Sequence, residues 1–419
     1  MKKIIVFFIA VTFLLGGCTE QQMPGFVQQH DGRLWLDGQE YQFVGTNFWY
    51  GPILGSEGEG GNRERLLREL DELNRLGLNN LRILVGSDGQ QGVTTKVEPT
   101  LQKAPGEYND TLLAGLDFLL AEMGKRQMKA VLYLNNSWEW SGGYGYYLEQ
   151  AGLGKVPRPN EAGYPAFMQF VAQFADNERA HELFYDYVRF IVSRQNRYTS
   201  VSYKDDPTIM AWQIGNEPRA FGERQKQPFA KWLREASALI RSIDGNHLIS
   251  VGSEGIWGCE MDSALYEQIS SDPNIDYLTA HVWPYNWQWV RPESLIADVD
   301  NACRKTCDYL TSHFKIAQRL EKPLVIEEFG YPRDGFSFEP ASPTIARDRY
   351  FNYVFSFIAG EPTVSGCNFW GWGGEARPVH EQWQKGDPYL GDPAQEQQGL
   401  NSVFNCDTTT LMVISKSKL

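Results

Sequence analysis

The feature that most constrains this chain is a regular alternation of strand-like and helix-like segments after residue 40. Short apolar runs typical of buried strands recur eight times, at 41–49, 79–85, 129–135, 208–217, 247–253, 276–282, 324–329 and 365–370. Stretches with helical periodicity separate them, at about 63–76, 110–126, 180–198, 228–243, 264–269, 303–320 and 344–359. Eight strands alternating with helices predict an α/β fold, the (β/α)8 or TIM barrel.

A barrel of this kind explains how 419 residues can form one domain with no Ser/Pro-rich linker or repeat. A doubly wound open sheet shares the alternation, but it typically uses fewer strands. In addition, no glycine fingerprint for a dinucleotide follows the first strand. Before residue 40, the segment 31–38 predicts a small hairpin that closes the bottom of the barrel.

The first residues have the composition of a targeting signal. Lys2 and Lys3 precede an apolar run at 4–15 that is too short to span a bilayer. The run ends in Leu-Gly-Gly-Cys at Cys18, which resembles a bacterial lipoprotein signal. That resemblance implies cleavage before Cys18 and a lipid on its thiol; an ordinary secretory signal with a chance cysteine is the alternative.

We therefore predict a signal peptide at 1–17, a linker at 18–29 and a single catalytic barrel domain at 30–410. The lipid would anchor the protein in the bacterial cell envelope, facing the periplasm or the exterior. Thr19 rather than Asp follows the cysteine, which by resemblance favours the outer membrane.

The charge balance limits the possible partners. A net charge of -13 argues against nucleic acid or an anionic lipid surface, since both require basic patches. The chain also has 13 Trp, 20 Tyr and 23 Phe, and their flat apolar faces suit sugar rings. We expect a monomer whose contact with the membrane is the lipid alone.

Five cysteines follow the leader: Cys259, Cys303, Cys307, Cys367 and Cys406. An odd number leaves at least one free thiol, so no disulfide framework can be deduced. Cys303 and Cys307 continue one helical apolar stripe and are expected to pack in the core. The further ligands that a metal site needs do not occur at suitable spacing, so no metal is expected. No organic cofactor is expected either.

Barrels of this type carry their chemistry at the C-terminal ends of the strands. The polar and aromatic residues predicted there are Asn47, Trp49, Arg82, Asn135, Asn136, Asn216, Glu217, Glu254, His281, Trp283, Glu328 and Trp370. Pro218 cannot continue a strand, so Glu217 is held at the lip of strand four.

Two of these residues form a candidate catalytic pair. Glu217 ends strand four and Glu328 ends strand seven, and these strands face each other across a barrel mouth. Two carboxyl groups about 5–5.5 Å apart suit retaining glycoside hydrolysis, in which one is the nucleophile and the other the acid/base. Glu327 is the alternative nucleophile, but strand alternation points it the other way.

The two motifs resemble glycoside hydrolase family 5. Trp-x-x-Gly-Asn-Glu-Pro at 212–218 and Glu-Phe-Gly at 328–330 stand at the strand positions where that family has its catalytic residues. The resemblance covers about residues 30–405. It implies that Glu217 is the acid/base and Glu328 the nucleophile.

The supporting residues match as well. Arg82 could pair with the nucleophile and keep it ionised, and Asn216 is placed to bond the sugar 2-hydroxyl. His281 would bind substrate or orient the acid/base, and Trp370 would form the aromatic floor of the cleavage subsite. Many family members have Tyr where this chain has Trp283, which leaves the role of Trp283 open.

Three segments resemble the branch of the family that acts on β-mannan. They are Gly-Thr-Asn-Phe-Trp-Tyr at 45–50, Asn-Asn-Ser-Trp-Glu-Trp at 135–140 and His-Val-Trp-Pro-Tyr-Asn-Trp at 281–287. Accordingly, we count Trp49, Asn136 and Trp138 among the residues expected to bind substrate. The insert that begins at Asn136 could wall off one end of the cleft.

The expected function is therefore retaining hydrolysis of β-1,4-mannosidic bonds in mannan, glucomannan or galactomannan, with endo cleavage favoured. Exo action by a β-mannosidase or mannobiohydrolase is the first alternative. Hydrolysis of a β-glucan is a second. A glycan-binding lipoprotein without activity is a third, which leaves two intact carboxylates in matching motifs unexplained.

Overall fold

The computed structural model describes residues 25–419, so the predicted signal peptide and Cys18 lie outside the described residues. Eight strands form one parallel sheet: β1 Phe43–Asn47, β2 Asn80–Leu84, β3 Lys129–Tyr133, β4 Ile209–Gln213, β5 Leu248–Ser250, β6 Leu278–Val282, β7 Leu324–Phe329 and β8 Val364–Phe369. Within the described part, no helix combines the length and apolar character needed to cross a bilayer.

The sheet follows the order β5-β4-β3-β2-β1-β8-β7-β6, with every ladder parallel. The outer strands β5 and β6 approach each other through single backbone bonds instead of a ladder. Asp276 N donates to Ile249 O (2.9 Å), and His281 N donates to Glu254 O (3.0 Å). This nearly closed sheet confirms the predicted (β/α)8 barrel.

A helix follows each strand: α1 Arg63–Arg75, α2 Asp110–Lys125, α3 Glu178–Val192, α4 Lys226–Ile243, α5 Ser263–Ser270, α6 Leu295–Leu320, α7 Ile345–Ile358 and α8 Thr408–Lys416. Several begin where the sequence supplies a capping side chain: Asn62, Asn109, Asn177 and Asp262 each accept a bond from the first turn. Lys322-Pro323 then stops α6 just before β7.

A small antiparallel sheet covers the bottom of the barrel, as the sequence predicted. Its strands are Val27–His30, Arg33–Leu36 and Gln39–Glu40. Leu34 is fully buried there against apolar side chains from the N-terminal ends of the barrel strands, including Phe43 and Val325. The first strand thus begins three residues before the predicted domain start at 30, and α8 extends past the predicted end at 410.

Long segments at the opposite end of the barrel surround its mouth. The insert after β3 contains the helices Gly143–Gln150, Pro159–Ala162 and Tyr164–Val171. The segment after β8 leaves through Trp372–Gly374 and returns through Val403–Phe404, which pair with each other. Residues 391–402 of that segment, here called the wall loop, reach the candidate site.

The five cysteines of the described part are all free thiols. Cys303 is buried on α6, as expected, whereas Cys307 is only partly buried.

Candidate active site

Glu217 lies just beyond the C-terminal end of β4 in an unusual backbone conformation. Its φ of 48° falls in the left-handed region, which a residue with a side chain seldom adopts. Its backbone N–H donates to Gly252 O (2.9 Å), and the Ser137 hydroxyl donates to its carbonyl. The surrounding strands therefore fix this strained position, as is common at functional sites.

Glu328 stands near the end of β7 and is 2% exposed. Arg82 Nη1 donates to its Oε1 (2.5 Å), and Trp283 Nε1 donates to its Oε2 (3.1 Å). Arg82 is fully buried, and burial alone would lower its pKa. The carboxylates of Glu328 and Glu327 raise that pKa above the ordinary value, so the guanidinium remains charged beside Glu328.

His281 lies between the two candidate catalytic carboxylates. Its Nδ1 is 2.8 Å from Glu217 Oε1 and 3.3 Å from Glu328 Oε2. Burial alone would lower the pKa of His281, but the charge of Glu328 and hydrogen bonds to the carboxylates raise it well above the usual range. His281 is therefore an imidazolium whose Nδ1–H donates to Glu217.

The pKa of Glu217 moves in the opposite direction. Burial would raise it, but the hydrogen bond and charge of His281, the charge of Arg219 and the hydrogen bond from Trp138 lower it below its ordinary value. The Trp138 indole N–H donates to Glu217 Oε2 at 2.6 Å. Both carboxylate oxygens of Glu217 thus accept a hydrogen bond.

The spacing of the pair decides the stereochemistry that it can support. An oxygen of Glu217, a nitrogen of His281 and an oxygen of Glu328 all lie within 4.8 Å of one another. Inverting hydrolysis needs roughly 6.5–9.5 Å between carboxyl groups to admit a water, whereas retaining hydrolysis needs about 5–5.5 Å. The geometry fits the retaining reaction.

Glu327 also lies in the barrel interior, 3.7 Å from Arg82 Nε and 3.7 Å from His281 Nε2, whereas strand alternation alone had pointed it away from the side of Glu328. The pairing of β6 with β7 shifts register at this point, which interrupts the alternation. Gln213 Nε2 donates to both of its carboxylate oxygens (2.8 Å each), and Tyr277 OH donates to Oε1 (3.4 Å). Glu327 does not line the cavity that Glu328 faces. It is therefore not in a position to attack a substrate.

A cavity of about 640 Å³ opens above the pair. Six of the predicted site residues line it: Asn216, Glu217, Glu328, Trp138, Trp283 and Trp370. Four others lie behind this lining: Arg82, His281, Asn136 and Trp49.

Asn136 and Trp49 organise the site without facing the cavity. Asn136 Oδ1 accepts from Asn216 Nδ2 (3.2 Å) and from Trp138 N (3.0 Å), so it orients both residues. Trp49 Nε1 donates to Gly391 O (3.0 Å) and holds the start of the wall loop. The structure therefore places both next to residues that can touch substrate.

Sequence reasoning missed several residues that line the cavity. They are Glu139, Trp140, Tyr164, Met168, Arg219, Trp257, Asn286, Trp287, Gln288, Gln395 and Glu396. A signal existed for Arg219, two residues after Glu217, and Glu254, predicted at a strand end but given no role, also lines the cavity. Gln395 and Glu396 carry no local signal, because they lie in a loop far from any catalytic motif.

A buried ion pair lies beside Glu217. Arg219 donates from Nε and Nη2 to both oxygens of Glu254 (2.6 and 2.7 Å). The guanidinium lies over the Trp138 ring, 5.1 Å from its centroid. Burial raises the pKa of Glu254 to about 7, against the opposing charge of Arg219.

Three comparisons place this geometry among known proteins. A family model described as GH family 5 beta-mannosidase-like matches residues 24–418. Mannan endo-1,4-beta-mannosidase 7 of Arabidopsis thaliana is 29% identical over 384 residues, which cover 88% of this chain and 82% of that protein.

Among solved structures, the glycoside hydrolase family 5 mannosidase from Rhizomucor miehei superposes with a TM-score of 0.86. It is 33% identical, and the match covers 94% of this chain and 96% of that chain. The endo-1,4-beta-mannanase from the same organism has a TM-score of 0.67 at 23% identity, covering 93% of this chain and 98% of that chain. The second likeness shows the fold alone.

Proposed function

The chain belongs to glycoside hydrolase family 5, in its β-mannosidase-like group, and from that premise we propose that it removes mannose units from the non-reducing ends of β-1,4-linked manno-oligosaccharides. The family retains anomeric configuration and acts on β-mannans. Among the similar proteins, one is named an endo-acting enzyme and another a mannosidase. The sequence favoured the endo mode; we propose the exo mode because of the side chains packed beside Trp370.

The observation that carries this proposal is a wall of indoles beside Trp370. Trp140 packs edge-on against Trp370, with ring centroids 6.4 Å apart, and against Trp49 at 6.3 Å. Each of the three is 3% exposed. By family resemblance Trp370 is the floor of the cleavage subsite. In this proposal the neighbouring rings fill the space where sugars further towards the non-reducing end would bind.

The wall loop completes this barrier. Gln395 and Glu396 line the same cavity as Trp370 and Glu328. Burial and the charge of Asp392 raise the pKa of Glu396 well above its ordinary value, so its side chain can donate a hydrogen bond to a sugar. The exposed side chains of Asn286 and Gln288 also border the cavity. In this proposal they mark the open side, through which a chain would enter by its non-reducing end.

The proposed reaction has two displacements. Glu328 attacks the anomeric carbon while Glu217 protonates the leaving oxygen, and a covalent mannosyl-enzyme forms. The proton reaches Glu217 from His281 across their 2.8 Å hydrogen bond. Glu217 then takes a proton from water, which attacks the anomeric carbon and frees Glu328, and this proton returns to His281. The lowered pKa of Glu217 keeps the carboxylate ionised for this second role.

Neighbouring side chains hold these groups in place. Arg82 and Trp283 orient Glu328 through its two oxygens. Asn216 accepts from Arg82 Nη2 through Oδ1 (2.9 Å) and presents its amide to the cavity, where it can bond the 2-hydroxyl. That contact strengthens as positive charge develops on the sugar.

We also propose that a lipid on Cys18 anchors the protein, with the outer membrane favoured and the barrel facing the periplasm or the exterior. The basic start, the apolar run at 4–15 and the cysteine after Leu-Gly-Gly support this. Metabolic labelling with an alkyne fatty acid should mark the wild type but not a Cys18→Ala variant. Equal labelling of both would contradict the anchor.

A time course on linear mannohexaose, with the viscosity of galactomannan followed in parallel, tests the exo mode. We expect mannose from the first time point and almost unchanged viscosity. Early mid-length oligosaccharides with a rapid fall in viscosity would contradict it. Faster hydrolysis of soluble cellulose than of mannan would favour the glucan alternative, and binding without any product would favour the inactive lipoprotein.

A further inference from the structure

We infer that Asp392 is a positioning residue that fixes the wall loop in its blocking position and thereby sets the exo mode of cleavage. The inference rests on the proposed function. Asp392 does not line the cavity. It acts through Gln395 and Glu396, the two residues of the loop that do.

The Asp392 side chain is 1% exposed, and its carboxylate accepts hydrogen bonds from residues at the C-terminal end of the wall loop. Its Oδ2 accepts from Gly399 N (2.9 Å) and Ser402 N (3.2 Å), and its Oδ1 accepts from Asn401 N (2.8 Å). The Ser402 hydroxyl donates to Oδ2 as well. One side chain therefore closes the loop on itself through four hydrogen bonds.

The closed loop is also tied to the barrel at both ends. Arg347 of α7 donates to Ser402 O (3.0 Å) and to Leu400 O (2.9 Å). Trp49 holds Gly391 at the other end, as described above. Between these ties, Gln398 Nε2 donates to the carbonyls of Asp392, Pro393 and Glu396, at 3.0–3.2 Å.

All of these contacts are made within the chain, so the loop is held in place by the protein itself. Without the Asp392 carboxylate, buried backbone donors at 399, 401 and 402 lose their acceptor. Buried donors seldom remain unpaired, so the loop would rearrange and its tip would leave the cavity. The space beside Trp370 would then be limited only by the neighbouring indoles of Trp140 and Trp283.

The test compares Asp392→Ala with the wild type on three substrates: mannobiose, mannohexaose and galactomannan. We expect kcat/KM on mannobiose to fall about tenfold, mainly through KM, because the glycone pocket loses its wall. Mannohexaose should yield early mannotriose, and galactomannan viscosity should begin to fall. Asp387→Asn is the matched control: it lies in the same segment, accepts from His380 and Gln384 N, and does not line the cavity. It should behave as wild type.

A folded Asp392→Ala protein that still releases mannose alone, with unchanged kinetics, would overturn the inference. If that variant does not fold, Ser402→Ala removes one of the four donors and should shift the products in the same direction to a smaller extent; an unchanged product pattern would again overturn it. A wild type that itself lowers viscosity rapidly would instead refute the proposed exo function, so the two failures are distinguishable.

Discussion

Trp283 donates its indole N–H to Glu328 Oε2 across 3.1 Å. Many members of the family have Tyr at this position; here the indole contacts Glu328, the proposed nucleophile. The contact orders one oxygen of Glu328 while Arg82 orders the other.

Replacing Trp283 by Phe should lower kcat/KM on mannobiose by roughly 10- to 100-fold, because a hydrogen bond to a charged group is worth about 1.5–3 kcal/mol. Trp283→Tyr keeps a donor and should lose much less. Steady-state kinetics of both variants give the comparison. If kcat/KM falls equally in the Phe and Tyr variants, the indole ring itself, and not its N–H donor, is what activity requires.

The acid role of Glu217 predicts a dependence on the leaving group. Glu217→Gln should slow mannobiose hydrolysis by on the order of 10²- to 10⁴-fold. Dinitrophenol leaves an aryl β-mannoside without being protonated. On that substrate, the rate of the first displacement should therefore fall far less. Added azide should restore turnover on the aryl substrate and give a β-mannosyl azide, detectable by NMR. Equal losses on both substrates, or no effect of azide, would contradict the assignment.

Glu328 and Glu327 are adjacent, so they make a matched pair. Glu328→Ala should reduce turnover by roughly 10⁴-fold or more, as expected for loss of a nucleophile. Glu327→Gln should keep measurable activity, because its side chain contacts Gln213 inside the barrel and not the cavity. A fluorinated mannoside that traps the intermediate should label Glu328 in a peptide map. Label on Glu327 would reverse the assignment.

Because Arg219 and Glu254 form an ion pair beside Glu217, removing the Glu254 charge should change the pH dependence of kcat/KM. Above about pH 7 Glu254 is ionised and offsets the charge of Arg219, so Glu217 accepts the proton of His281 more readily. In Glu254→Gln this offset is absent. The kcat/KM profiles should coincide at acidic pH and separate above about pH 7, where the variant loses activity sooner.

Glu267→Gln, which breaks an exposed pair with Arg319, is the control for that experiment and should leave the profile unchanged. Profiles of Glu254→Gln and wild type that superpose over the whole range would exclude electrostatic coupling to Glu217.

Asp88 predicts a pH dependence of stability. Burial raises its pKa to about 7, against a hydrogen bond from Gln102. The folded protein therefore holds a proton that the unfolded chain releases between about pH 4 and pH 7, and stability falls as pH rises through that window.

Asp88→Asn removes this titration. Between pH 5 and pH 8, the free energy of unfolding of the variant should rise by on the order of 2 kcal/mol relative to that of the wild type. Urea unfolding at both pH values measures this difference. Asp71→Asn, at an exposed position, should show no such gain; a variant of Asp88 with the wild-type pH dependence would contradict the prediction.

The barrel was predictable because each strand is a short apolar run and each helix carries its own periodicity and stop signals. Glu217 and Glu328 were predictable for the same reason: they end runs whose position in the alternation fixes where they meet. Trp140 lies in the insert after β3, which the sequence suggested could wall off one end of the cleft. The wall loop was not predictable, because Gln395 and Glu396 enter the cavity through long-range ties to Trp49 and Arg347. Asn136 and Trp49 lie in segments that were predicted to reach the site. Whether their side chains face the cavity depends on packing, which sequence spacing alone does not specify.

The carboxylates around His281 also bear on inhibition. A monosaccharide analogue with a protonated ring nitrogen would place a cation between Glu217 and Glu328, where the reaction develops positive charge on the sugar. Such a basic compound should bind more tightly than a neutral lactone of the same shape. The difference in affinity between the two compounds would therefore report directly on the negative charge that the site offers to the sugar.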